Sequence, residues 1–240
     1  MGAEVGAPLR LVVVGGGVTG CEAAWSAARA GADVTLVTTS LDTVYSLDED
    51  PAGLTPPEGS LLASVVAAGA RTRWEVHRRA KYALEGQKGV HLLQSTASAL
   101  VVEGGAVRGV ETWEGVPRRG DRVALCVGTF LRARLEVGAV VEQMGRLSEM
   151  AYDDLYEDLL GRGFAFADLT LEVPGVAGSL PHVVRTVAFA PEESSAEGLR
   201  LPRLAGLYAA GACVARPGGP PNVEDCVAEG MRLGRALAAA

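Results

Sequence analysis

Short apolar runs alternate with a helical segment at the start of the chain. Residues 9–14 form a β-branched run that predicts a buried parallel strand. Residues 21–30 are rich in alanine and predict a helix, and Gly31 is placed to end it. Residues 34–37 form a second buried run, so the pattern predicts a β-α-β unit of about 30 residues.

The rest of the chain continues with the same kinds of pattern. In chain order it predicts a helix at 61–86 with a break near Gly69, a strand at 90–94, an antiparallel β-meander at about 99–122, a strand at 123–127, a helix capped by Ser148 and reaching Leu160, a short strand at 207–210 and a helix at 222–239. Residues 164–203 are expected to be an irregular insertion, with strands only around Pro174 and Pro181. The predicted fold class is α/β, with one domain over residues 1–240.

Composition limits the function classes. Of 240 residues, 48% are hydrophobic and 21% charged, which is typical of a globular core. The net charge of -7 argues against a broad nucleic-acid surface. The sequence contains no apolar run long enough to predict a membrane helix and no signal-peptide pattern, so a cytoplasmic location is expected. No cysteine pair or histidine has zinc-ligand spacing, so no metal site is expected.

A glycine-rich segment directly follows the first predicted strand. Gly15, Gly16, Gly17, Thr19 and Gly20 belong to a G-x-G-x-x-G pattern at a strand-to-helix turn. In such a turn the first glycine allows the tight bend, the second allows a pyrophosphate to approach the backbone, and the third allows close helix packing. The pattern predicts dinucleotide binding, with a purely structural turn as the alternative.

The second predicted strand ends without the acidic residue that usually binds the adenosine ribose. Thr38 and Thr39 occupy that position, so a threonine hydroxyl or the backbone is predicted to take over this contact. Asp42 lies further along the chain and is the alternative ribose ligand.

Four segments together resemble the glucose-inhibited division protein A family, the FAD-binding subunit of a tRNA wobble-uridine modifying enzyme. The related folate- and FAD-dependent tRNA uracil methyltransferases share the pattern. The segments are Gly-Gly-Gly-Val-Thr-Gly-Cys-Glu-Ala-Ala at 15–24, Thr38 with Leu-Asp-Thr at 41–43, Val-Gly-Thr-Phe-Leu at 127–131 with Val-Gly at 137–138, and Ala-Gly at 210–211 with Glu-Asp at 224–225 and Ala-Glu-Gly at 228–230.

This resemblance implies a glutathione-reductase-type FAD-binding fold and FAD as the resident cofactor. It also assigns roles along the cofactor. The implied contacts are Ala97 for the adenine, Gly128 and Thr129 for the pyrophosphate side, Gly211 and Ala212 for the ribityl chain, and Asn222 and Val223, at the start of the last helix, for the flavin pyrimidine edge. A helix N-terminus there would stabilise the negative charge of a reduced flavin.

The chain also departs from the family pattern. Glu49 stands where family members carry a cysteine, residues 164–167 replace a Lys-Thr-Gly-Thr-Pro-Pro-Arg segment, and the long C-terminal helical region is absent. We therefore predict an FAD-dependent oxidoreductase with an unknown substrate. The alternatives are a non-catalytic flavin-binding module, a subunit that needs a partner chain or forms a homo-oligomer, and an NAD-binding protein. Binding of tRNA by this chain alone is not expected.

No catalytic residue is identified from sequence, but several groups are candidates. Cys213 follows the last flavin strand, although a buried inert thiol is favoured there. The loop at 216–223 is predicted to line the flavin pocket. The remaining candidates, each with an ordinary surface role as the favoured alternative, are His77, His91, His182, Glu49, Asp50 and the basic cluster Arg71, Arg73, Arg78, Arg79 and Lys81.

Overall fold

The computed structural model describes residues 7–146, 149–174, 180–195 and 199–239. The helices are α1 (Val18–Arg29), α2 (Leu61–Ala67), α3 (Arg73–Gly86), α4 (Asp153–Gly161) and α5 (Val223–Ala238). The strands are β1 (Arg10–Val14), β2 (Asp33–Thr38), β3 (Val90–Gln94), β4 (Ala97–Glu103), β5 (Ala106–Thr112), β6 (Pro117–Arg119), β7 (Arg122–Leu125), β8 (Arg134–Val137), β9 (Val140–Glu142), β10 (Met144–Arg146), β11 (Glu149–Met150), β12 (Phe166–Val173), β13 (His182–Phe189) and β14 (Leu207–Ala209).

A five-stranded parallel sheet lies at the centre, in the order β14-β7-β1-β2-β3. The strand β1 is buried along Leu11–Val14, as its β-branched run predicts. The chain runs outward from β1 to β2 and β3 on one side, while β7 and β14 lie on the other. The strand order therefore reverses between β1 and β7. In open α/β sheets, ligands bind at the carboxyl ends of the strands beside such a reversal.

Helices α1 and α5 pack directly against each other, and glycines on α5 make this possible. A Cβ atom on Gly230 would lie 2.5 Å from the Thr19 carbonyl oxygen, and one on Gly234 would lie 2.5 Å from that of Ala23. Because backbones can approach this closely only without side chains, α5 lies flat on α1. Their N-terminal residues line one common cavity, as described below.

Three antiparallel sheets accompany the parallel sheet among the described residues, and the smallest of them pairs β10 with β11. The strands β4, β5 and β6 form the predicted β-meander, which confirms that part of the fold. The other sheet has the order β12-β13-β8-β9, and its strands β12 and β13 pair over eight residues. The strands expected around Pro174 and Pro181 are therefore present as β12 and β13, and the prediction of an irregular insertion at 164–203 is wrong where these strands lie.

Several boundaries also differ from the predictions. The break near Gly69 is confirmed, since α2 ends at Ala67 and α3 begins at Arg73. The helix predicted from Ser148 instead begins at Asp153, and Ser148 lies outside the described residues. Among the residues that the structure describes, no helix is both long and apolar enough to cross a bilayer.

Candidate dinucleotide-binding site

The three motif glycines have different surroundings in the turn between β1 and α1. Gly15 has a φ of +110°, and a Cβ there would lie 2.2 Å from the Cys126 carbonyl oxygen. A Cβ on Gly20 would lie 1.9 Å from the Gly15 carbonyl oxygen. A Cβ on Gly17, in contrast, would have no atom within 4 Å. Protein packing therefore requires glycine at 15 and 20, whereas at 17 it leaves the space beside the backbone open.

Helix α1 begins next to that open space. Gly17 is its N-cap, no side chain caps the helix, and its first turn contains no acidic residue. The free N–H groups and the positive end of the helix dipole are therefore available to an anion.

Four neighbouring cavities follow the carboxyl edge of the parallel sheet, and together we call them the groove. They are the outer cavity of about 500 Å³, the turn cavity of about 70 Å³, the helix cavity of about 200 Å³ and the loop cavity of about 210 Å³. Thr39 is a wall of both the outer and turn cavities, and Gly17, Cys126 and Gly128 are shared by the turn and helix cavities. Ala212 is shared by the helix and loop cavities. The shared walls join the four cavities into one continuous row along the sheet edge.

Most of the residues predicted from the sequence to hold the cofactor meet at this groove. Gly20 packs under the turn, Asn222 caps α5, and Thr129 is not among the lining residues that the structure describes. The predicted residues that do line the groove are Gly15, Gly16, Gly17, Thr19, Thr38, Thr39, Ala97, Gly128, Gly211, Ala212 and Val223.

The two threonines at the end of β2 differ in what their hydroxyls can do. Thr38 is buried, packs against Gly16 and donates a hydrogen bond to the Ser40 carbonyl oxygen at 3.2 Å. Thr39 is only partly buried and is the wall between two cavities. Asp42 is exposed and is not among the residues that line the groove. Thr39 is therefore the better placed of the three for a ribose hydroxyl.

The turn cavity contains a polar cluster that sequence reasoning missed. The Arg146 Nε donates to the Glu149 carboxylate at 2.6 Å, and the Thr43 hydroxyl donates to its other oxygen at 3.1 Å. All three residues line the cavity. No motif marks Arg146 or Glu149, because the short strands β10 and β11 bring them to the glycine turn from far along the chain.

At the other end of the groove, an ion pair between Glu229 and Arg216 holds the backbone of Gly211, which follows β14. The Glu229 carboxylate accepts hydrogen bonds from the Gly211 N–H at 2.9 Å and from the Arg216 guanidinium at 3.1 Å. Arg216 also donates to the Gly211 carbonyl oxygen, and its buried Nε has no partner among the described residues. Because Arg216 lines the loop cavity, it brings a positive charge there.

Helix α5 begins as predicted. The Asn222 side chain accepts a hydrogen bond from the Asp225 N–H at 2.8 Å, which is an N-cap contact. Pro221 and Val223 line the helix cavity, and Arg216, Gly219 and Pro220 line the loop cavity. The segment 216–223 therefore forms one end of the groove.

Two cysteines near the groove and the three histidines have structural rather than reactive surroundings. Cys213 is buried, and burial raises the pKa of its thiol to about 12, as expected of an inert thiol. Cys126 is a groove wall, and burial raises its pKa well above the ordinary value. His77 contacts the Val44 carbonyl oxygen, and His91 pairs with Asp33 on the surface. The third histidine, His182, is near the Leu180 carbonyl oxygen.

The acidic loop and the basic cluster likewise have structural contacts. Asp50 accepts a hydrogen bond from the Arg73 N–H at 2.8 Å, and Glu49 is exposed. Their neighbour Asp48 is the acidic residue that lines the helix cavity. Arg71 donates to carbonyl oxygens at the end of α2, while the other basic residues lie along α3.

The fold is that of a Rossmann-like α/β protein, and the groove at the sheet reversal is its candidate dinucleotide site. The family profile described as Glucose inhibited division protein A matches residues 10–73 and 63–174, more than half of the chain. The chain belongs to this family.

Solved structures agree with this assignment. The chain is 44% identical to the GidA-related protein from Thermus thermophilus, with a TM-score of 0.85 over 96% of this chain and 98% of that one. Aquifex aeolicus GidA, at 16% identity, shares the fold with a TM-score of 0.77 over 98% of this chain and 64% of its own.

Curated relatives are larger proteins. The tRNA uridine 5-carboxymethylaminomethyl modification enzyme of Chlamydia trachomatis is 34% identical over 194 residues, covering 68% of this chain and 32% of the relative. The corresponding enzyme of Chlamydia muridarum is 32% identical over the same length. This chain therefore spans about a third of the length of the curated relatives it matches.

Proposed function

We propose that the chain binds FAD non-covalently in the groove and acts as a flavoprotein oxidoreductase. The single observation that carries the proposal is the open space beside Gly17 at the uncapped start of α1. An adjoining row of cavities extends from it in both directions along the sheet edge. A diphosphate is the anion that binds at such a turn, and the two halves of a dinucleotide would extend from it into the cavities on either side.

The residues present fit this cofactor. Ala97 and Thr39 would contact the adenosine, and the glycine turn with Thr19 and Gly128 would surround the diphosphate. Gly211, Ala212 and Val223 would lie along the flavin arm, where Asn222 caps α5. When bound, the flavin supplies hydride transfer at N5. The start of α5 and the Arg216 guanidinium would place positive potential beside the ring, which favours its reduced, negatively charged form.

A second reading is a flavin-binding module that needs a partner chain. It is favoured by the loop cavity, whose described lining has Asp168 and Arg216 as its charged residues and contains no histidine or cysteine.

One purification separates these possibilities. We expect the full chain to be yellow, with flavin absorption bands and about one FAD released per chain on heat denaturation. Anaerobic bleaching by NADH or NADPH, followed by recovery with an added electron acceptor, would support the oxidoreductase. Bound FAD that neither nucleotide reduces would favour the module. A colourless protein that does not take up added FAD would contradict both.

A tRNA reaction by this chain alone is not proposed. Glu49 occupies the position of the family's cysteine, and antiparallel strands occupy 166–173 and 182–189. The net charge of -7 also gives little long-range attraction to RNA.

Thr39 gives a prediction for the ribose. Thr39→Val keeps the shape of the side chain and removes the hydroxyl, so we expect FAD affinity to fall by roughly fivefold, about 1 kcal/mol. Thr35→Val, in the middle of β2, is the control and should leave affinity unchanged. Isothermal titration of FAD-free protein measures both. Equal affinity in the Thr39 variant would move the ribose contact to the backbone or to Asp42.

Arg216 gives a prediction for the redox potential. Arg216→Gln removes a partly buried positive charge from the loop cavity, so the midpoint potential of the bound flavin should fall by tens of millivolts, about 1 kcal/mol. Arg232→Gln is the matched control, because Arg232 approaches the same Glu229 at 3.7 Å but is exposed and does not line the cavity. Spectroelectrochemical titration measures the potential. Equal shifts in both variants would mean that Arg216 lies away from the flavin. Gly219, which also lines the loop cavity, is less suitable than Arg216 for this test. Its φ of +89° would strain the backbone with any side chain at that position.

A further inference from the structure

Helix α3 carries two large aromatic side chains that the fold leaves exposed. Trp74 is 65% exposed and Tyr82 is 80% exposed, whereas Val76, Ala80 and Leu84 form the buried side of the same helix. Side chains of this size normally bury most of their surface, so two of them on the outer side of one helix indicate a contact surface. Tryptophan, tyrosine and arginine are also the residues that contribute most binding energy at protein interfaces.

Charged residues continue this outer side of α3 in a regular pattern. Arg78 lies four residues after Trp74 and four before Tyr82, so the three side chains follow one line along the helix. Glu75 lies three residues before Arg78 and Lys81 lies three residues after it, on either flank of that line. We call these five residues the α3 stripe. Spacings of three and four are typical of the side of a helix that packs against another helix.

The composition of the α3 stripe is symmetric about Arg78. An aromatic residue lies four positions away in each direction, and charges of opposite sign lie three positions away. If two copies of α3 lie antiparallel about a two-fold axis at Arg78, the residues before Arg78 in one copy lie level with those after it in the other. The helical repeat places Trp74 and Lys81 on one flank and Glu75 and Tyr82 on the other. Because a two-fold axis brings equal flanks together, Trp74 would face Lys81 of the second copy, and Glu75 would face its Tyr82.

We propose that the α3 stripe is the contact surface of a symmetric dimer, in which α3 packs antiparallel on α3 of a second copy of this chain. The Lys81 ammonium group of each copy lies over the Trp74 indole of the other, which is a cation–π contact. The Tyr82 hydroxyl donates a hydrogen bond to the Glu75 carboxylate of the other copy. The Glu75 Oε2 already accepts two backbone N–H groups just before α3, so its Oε1 is the acceptor for the tyrosine. By symmetry each contact forms twice.

The proposed contact is small and has like charges at its centre. One helix side from each copy buries roughly 1,000 Å² in total, which is at the lower end for specific interfaces. The two Arg78 guanidinium groups also meet at the two-fold axis, where they repel each other. We therefore expect a dimer with a micromolar dissociation constant. This inference does not depend on the proposed cofactor.

An RNA strand is the other occupant that exposed aromatic and basic side chains could bind. Glu75 and Glu85 lie on the same outer side of α3 and would repel its phosphates. Opposite charges at matched positions instead complement a second copy of the helix, so the α3 stripe favours self-association.

Sedimentation equilibrium of the full chain at rising micromolar concentrations measures the dissociation constant of the dimer. Trp74→Ala should raise this constant by about tenfold, because it removes the aromatic side of two contacts. Arg78→Leu should lower it by about tenfold, because it removes the repulsion at the axis and adds apolar surface. Trp113, which is 69% exposed in the turn after β5, supplies the control, and Trp113→Ala should leave the constant unchanged.

Cysteine cross-linking tests the two-fold axis itself. Arg78→Cys should give a disulfide-linked dimer on mild oxidation, because the two thiols meet across the axis. Arg79→Cys, about 100° further around α3, should give no such dimer under the same conditions, and neither should the natural chain. A natural chain that is monomeric at high micromolar concentration would overturn the inference, as would a dimer whose affinity is the same in Trp74→Ala and Arg78→Leu. A monomer that binds polyuridylate through Trp74 would make α3 an RNA surface instead.

Discussion

Gly17→Val is expected to abolish FAD binding while the protein remains folded. The valine side chain would enter the open space beside α1 where the diphosphate is proposed to lie, and its Cβ would have no protein atom within 4 Å. We expect FAD affinity to fall by roughly 100-fold or more, about 3 kcal/mol. The free energy of unfolding should fall by only about 1 kcal/mol, because valine is a poorer N-cap than glycine.

The control for this variant is Gly86→Val. Gly86 ends α3, its φ is not positive, and a Cβ there also has no atom within 4 Å. It precedes β3 and so lies at the amino edge of the sheet, away from the groove. Flavin content after gel filtration and urea denaturation measure the two effects separately. A folded Gly17→Val protein that retains one FAD per chain would show that the glycine turn does not hold the cofactor.

The packing around the glycine turn explains why this turn was predictable from the sequence. The strand, the glycines and the helix follow one another directly along the chain. The residues that determine each of these elements lie within about 15 positions of it. Gly15 and Gly20 are required by backbone contacts at 2.2 and 1.9 Å, so the spacing of the motif follows from packing as much as from binding. The capping role of Asn222 and the helix break near Gly69 were predictable for the same reason.

The sheet β12-β13-β8-β9 was not predictable in this way. Every residue of β9 is exposed, so this strand shows no hydrophobic alternation. The residues of β12 at 168–173 do alternate between polar and apolar, which indicates a strand but not the sheet that it joins. In addition, β8 pairs with β13, for example Leu135 with Val184, across a long stretch of chain. Arg146 and Glu149 lie on the short strands β10 and β11, which form a separate two-stranded sheet, and no local pattern indicated them.

Glu22 shows a third situation, in which the residue belongs to a recognisable motif but its role depends on distant partners. Its side chain is fully buried in α1. One carboxylate oxygen accepts hydrogen bonds from the Tyr45 hydroxyl at 2.5 Å and the Leu62 N–H at 2.9 Å, and the other accepts one from the Leu61 N–H at 2.8 Å. Burial raises the pKa of Glu22, and these three hydrogen bonds oppose the rise.

This carboxylate connects α1 to the start of α2 and to the loop that flanks the groove. Tyr45 is itself buried with a φ of +55°, and its N–H donates to the Gly16 carbonyl oxygen at 2.8 Å. A tyrosine in the left-handed region is held there only when its surroundings compensate for the strain. Glu22 therefore supports the conformation of the loop and, through Gly16, that of the glycine turn.

We expect Glu22→Ala to lower the free energy of unfolding by about 3–5 kcal/mol, because it leaves three buried donors without an acceptor. Glu22→Gln should cost about 2 kcal/mol, since either orientation of the amide places its NH₂ group against a donor that now needs an oxygen. Urea denaturation measures both, and Glu85→Ala and Glu85→Gln, on the exposed surface of α3, should stay within about 0.5 kcal/mol of the natural chain. If Glu22→Gln is as stable as the natural chain, one of the three donors must have another hydrogen-bond acceptor. Glu22 would then not be the support of the glycine turn. If it is destabilised and also loses FAD more readily than Glu85→Gln, the buried carboxylate connects the stability of the fold to the shape of the cofactor site.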